Sequence, residues 1–107
     1  MLNRLKSSAC LLALLLAGFV LPGLSACAVA PVQEMSDARQ ALKAAEQAGA
    51  AEFAADSLER AQTLLRDAET QLSKRRYNEA REDANAAKAE ALVALRTAEN
   101  AKKTQPD

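Results

Sequence analysis

The stretch "AADSLERAQTLLRDAETQL", residues 54–72, decides the fold. Ala54, Leu58, Ala61, Leu65, Ala68 and Leu72 recur in it at alternating steps of four and three. A helix turns once in about 3.6 residues, so this spacing lines all six along one narrow stripe. A strand, with its period of two, would scatter them over both faces. Most residues between them are charged or polar. Such a helix must bury its stripe against something, and the chain on either side supplies matching stripes.

Downstream, Tyr77, Ala80, Ala84, Ala87, Ala91, Ala94, Ala98 and Ala101 repeat the alternation, with Leu92 and Leu95 beside them. Upstream, Met35, Ala38, Leu42 and Ala45 mark an inward face, Pro31 and Glu34 suit a helix start, and Gly49 suits its end. Asp56 with Glu59 three residues on resembles a capping box, with Asp in place of Ser or Thr. Between the second and third runs the phase slips. Leu72 and Tyr77 are five residues apart, and Lys74-Arg75-Arg76 is polar wherever the stripe would continue. This predicts a turn near residues 73–77, although no Gly or Pro enforces it. The expected fold is therefore all-α over residues 33–103. It is an alanine-rich up-down-up three-helix bundle, with a helical hairpin as the alternative if the last two runs are continuous. Val32 and Val93 are expected among its large apolar core groups.

The N-terminal segment reads differently. Asn3, Arg4 and Lys6 form a short basic start, and an apolar run follows from Ala9 to Leu21. That length suits the core of a secretory signal and falls short of the roughly 20 residues a spanning helix needs. Pro22 and Gly23 then break the helix ahead of a cut site. Two cut sites compete. Ala28-Val29-Ala30 fits the small-x-small rule of ordinary signal peptidase, but Pro31 would follow the cut. Leu24-Ser25-Ala26-Cys27 resembles the bacterial lipobox, an apolar residue and two small ones before a cysteine. That resemblance implies diacylglycerol on the Cys27 thiol, cleavage just before it, and acylation of the new amine. Two or three acyl chains anchor firmly where one holds marginally. Ala28 occupies the position where Asp commonly retains Gram-negative lipoproteins in the inner membrane, so the resemblance favours the outer membrane, periplasmic face.

Removal of residues 1–26 would leave 81 of the 107 residues, enough for one small domain. Within them the partner of a Cys27 disulfide is missing, because Cys10 lies in the discarded segment. Alanine fills 22 of those positions, and Leu, Glu, Lys, Arg and Gln much of the rest, which is helix-forming chemistry. All 14 acidic residues remain but only 12 of the 14 basic ones, a charge of about −2 that does not suit nucleic acid. Without histidine or a free thiol, zinc, haem and thiol chemistry lose their usual ligands, and a lone Gly49 makes no phosphate loop. Glu82-Asp83 offers paired carboxylates, but on a helix studded with Arg and Lys they read as a solvated charged face. The sequence predicts no enzyme and no cofactor beyond the lipid on Cys27.

The stretch from Ala38 to Ala91 resembles the bacterial family known as domain of unknown function 4398. Its members carry a lipobox followed by alanine-rich helices, with an A-G-A-x-[YF]-A step and a later Y-x-x-A-x-x-x-A run. Here these are Ala48-Gly49-Ala50-Ala51-Glu52-Phe53-Ala54 and Tyr77-Asn78-Glu79-Ala80 through Ala84. Members often place Pro after the Phe/Tyr-Ala and Gly-Asp before the Tyr; this chain has Ala55 and Arg75-Arg76 there. The resemblance covers about residues 31 to 103 and implies no activity and no site residues. The expected role is an envelope lipoprotein that serves as a helical interaction or structural element. It would hold the membrane through its lipid and meet an envelope protein or another copy of itself. The alternatives are association with peptidoglycan, or service as an accessory subunit of an envelope enzyme.

One surface feature invites a further expectation. If the chain leaves the membrane at Cys27, the first helix points away and the second returns, so Lys74, Arg75 and Arg76 come back toward the headgroups. There each cation contributes to binding an anionic leaflet. The competing reading is that the three favour the C-terminal end of the second helix and stay in water.

Overall fold

The computed structural model describes residues 29–105. Among them lie four helices: α1 (Val32–Gln47), the single turn α2 (Ala50–Phe53), α3 (Ala55–Ser73) and α4 (Tyr77–Thr104). The fold is an all-α bundle in which α1 runs up, α3 down and α4 up, so the hairpin alternative falls. Helix α4 is the spine; it packs against both α1 and α3, which touch each other less.

Alanine sets how closely these helices approach. All six buried residues of α4 are alanines: Ala80, Ala84, Ala87, Ala91, Ala94 and Ala98. Larger groups come from the other helices and fill the space those alanines leave. In the layer nearest Pro31, Met35 and Ala38 of α1 and Leu65 and Ala68 of α3 close on Ala84 and Ala87. At the opposite end, Ala45, Ala50 and Leu58 close on Ala94 and Ala98. Between them, the waist is Ala41, Ala61 and Ala91, one alanine from each long helix. Half-buried Leu42 borders all three layers.

Both predicted breaks are present, and each has a backbone cause. Gly49 ends α1 in the left-handed region at φ 89°, with its N–H donating to the Glu46 carbonyl at 3.1 Å. The residue at the second break is Arg75, at φ 59°. Its N–H donates to the Leu72 carbonyl at 3.0 Å, and the Arg76 N–H donates to the Gln71 carbonyl at 2.9 Å. That pair of bonds is a Schellman stop, which glycine usually occupies because it pays no Cβ penalty there. An arginine holds the position here.

Two expectations need correcting. Helix α3 begins at Ala55, one residue before Asp56, with Ala54 at the N-cap and no side-chain capping bond, so Asp56 and Glu59 do not form a capping box. The extended φ of −149° at Ala54 breaks the chain there, and Asp56 lies in the first turn, where its charge suits the helix dipole. Val32 and Val93 are not core residues; they are 70% and 46% exposed. Val93 falls between the seam alanines Ala91 and Ala94 and so points off the narrow stripe.

Candidate functional site at the foot of the bundle

Leu24, Ser25, Ala26 and Cys27 lie outside the described residues. What the structure does describe is how the chain just after them meets the bundle. Arg81, one turn into α4, reaches across to the incoming segment. Its Nη2 donates to the Val29 carbonyl at 3.0 Å, and its Nε to Glu34 Oε1 of α1, also at 3.0 Å. Its Nη1 donates to Asn78 Oδ1 at 3.4 Å, which fixes the guanidinium from its own helix. Arg81 is suited to this because a planar fork with several donors can serve separate acceptors at once. Pro31 is buried immediately after, and its carbonyl accepts the Met35 N–H at 3.0 Å. The segment from Val29 to Pro31 is thus laid against the bundle before α1 begins.

Lys74, Arg75 and Arg76 form the α3–α4 turn at this same end. Arg76 precedes Arg81 by five residues, roughly 7.5 Å of helix rise toward the foot. All three cations are exposed, and among the described residues none makes an ion pair or a side-chain hydrogen bond. The cations along the sides of the bundle behave differently. Arg39 pairs with Glu69 at 3.2 Å between α1 and α3, and Arg60 with Glu90 at 3.3 Å between α3 and α4. Lys88 approaches Asp37 at 3.9 Å between α4 and α1. These are solvent-exposed pairs, each worth about 0–1 kcal/mol, and they mark helix register more than they add stability.

The other connection carries the opposite sign. From Glu46 to Glu59 there are four acids and no base, although the Lys102 side chain from α4 lies over Gly49. The α3–α4 turn is therefore basic, whereas the α1–α3 corner sets four acids beside Arg60 and Lys102.

Glu82 is exposed on α4, and among the described residues no three of His, Cys, Asp and Glu gather as metal ligands. Among the same residues no helix is long and apolar enough to cross a membrane. The basic turn was legible in the sequence, but Arg81 was not. It sits among Glu79, Glu82 and Asp83, and its partner Val29 is 52 residues away, a contact that no local spacing encodes. No family model, curated protein or solved structure matches the chain.

Proposed function

We propose that the chain is a lipoprotein anchored through Cys27 to the periplasmic face of the outer membrane, where its bundle serves as a non-enzymatic interaction or structural element of the envelope. The observation that carries this reading is the placement of Val29. The lipobox ends two residues before a carbonyl that Arg81 holds at 3.0 Å, so the folded domain starts where the anchor motif stops. Whatever path residues 27 and 28 take, two residues span at most about 7 Å. A lipid there would stand the bundle directly on the membrane. The exposed helix sides remain for a partner.

The test is growth with labelled palmitate, followed by membrane fractionation and crosslinking. The wild-type chain should take up label, sediment with outer membrane and crosslink to a protein. Cys27→Ser should lose the label and accumulate as longer precursor. Label retained in that variant would sink the lipoprotein reading, and crosslinks to glycan strands alone would favour association with peptidoglycan.

A further inference from the structure

Three features meet at the foot of the bundle. The Arg81 guanidinium ties Val29 to the base of α4, which puts the turn and the chain leading from Cys27 at one end. Lys74, Arg75 and Arg76 are consecutive and exposed, and they lack carboxylate partners among the described residues. Arg75 also holds its left-handed φ of 59° at a cost to folding, since an L side chain is disfavoured there and glycine is not. The helix dipole accounts for a cation near the end of α3, but Lys74 at the C-cap already supplies one. Glycine would fill this position without the clash, and the exposed arginine leaves its guanidinium free for a contact outside the bundle.

We propose that the Lys74–Arg75–Arg76 turn binds the phosphate groups of anionic phospholipids and holds the bundle upright on the leaflet that anchors it. This rests on the lipid-anchor reading above. The chemistry is charge-assisted hydrogen bonding from three adjacent cations to headgroup phosphates. The anchor brings the turn to the surface, and the turn fixes the orientation. Helix α4, about 42 Å long, then carries its C-terminal end away from the membrane.

The experiment uses the mature lipidated protein in vesicles. Cys27 is blocked by lipid in this reading, so a cysteine introduced by Ser73→Cys or Gln105→Cys takes a fluorophore cleanly. Quenching by nitroxide carried on lipid headgroups reports proximity. In vesicles containing phosphatidylglycerol at low salt, the Ser73 label should be quenched and the Gln105 label should not. In phosphatidylcholine vesicles quenching at Ser73 should fall. Changing Lys74, Arg75 and Arg76 together to Gln should lower the docked-to-undocked ratio about a hundredfold, at roughly fivefold per cation near an anionic surface. Arg75→Gly guards against misfolding: it should lower docking about fivefold while the protein melts higher. Equal quenching in both vesicle types, or no response to the triple variant, overturns the proposal. So does competition by inorganic phosphate beyond that of chloride at equal ionic strength, which would mark a free-phosphate site. Protein that floats with neither vesicle overturns the anchor reading and this proposal with it. Flotation without lipid-dependent quenching overturns the headgroup contact alone.

Discussion

Replacing Arg75 with glycine should stabilise this protein. Arg75 sits at φ 59° with both Schellman bonds formed, so the backbone of the turn is already the one glycine prefers. An L residue in the left-handed region costs about 1–2 kcal/mol from the clash of Cβ with the following carbonyl. Glycine removes that clash and returns part of the gain through its greater freedom when unfolded, on the order of 0.5–1 kcal/mol. The surface position leaves little else to change, because Arg75 has no partner among the described residues. The net expectation is about 1 kcal/mol, which for a domain of this size raises Tm by roughly 4–8 °C. Thermal unfolding followed by far-UV circular dichroism would read it. Arg75→Ala is the control; it removes the charge but keeps the Cβ, so it should melt close to the parent. If the glycine variant melts at or below the parent, or if alanine stabilises as much as glycine, backbone strain at the turn is not the cause.

The waist offers a second test. Ala61 and Ala91 are 1% and 0% exposed, and Leu at either should cost about 1–3 kcal/mol by overpacking, whereas Glu69→Gln should change stability by less than about 1 kcal/mol. Equal melting of the three variants would reject the assigned faces. Arg81→Met should leave helicity intact but free the segment at Val29, seen as faster proteolytic clipping ahead of Pro31; unchanged clipping would mean the tie does not hold the tether. Val32→Ser should change stability by no more than the roughly 0.5 kcal/mol usual for surface changes, and a large loss would show that this side chain is buried after all.

The bundle was legible because Tyr77 and the seven seam alanines after it keep steps of three and four without a break. Alternation from Tyr77 to Ala101 fixed the face of α4, and the five-residue gap after Leu72 fixed where α3 must stop. The device that stops it was hidden, since the signature of a Schellman turn is glycine and an arginine stands there. Hydrophobicity without phase misled at Val32 and Val93, which lie off the stripes. The capping reading of Asp56 failed because α3 starts earlier, where the chain leaves α2 through Ala54. At the foot, the three cations were visible as a run, but their closeness to the incoming chain depends on Arg81 and Val29, which only the folded bundle brings together.

The mass of the N-terminal peptide of the protein isolated from membranes tests the claim that this bundle is lipid-anchored at Cys27. The predicted result is a peptide that begins at Cys27 and carries a diacylglyceryl group on its thiol and an acyl group on its amine. An unmodified peptide that begins at Pro31, from cleavage after Ala30, would contradict the claim.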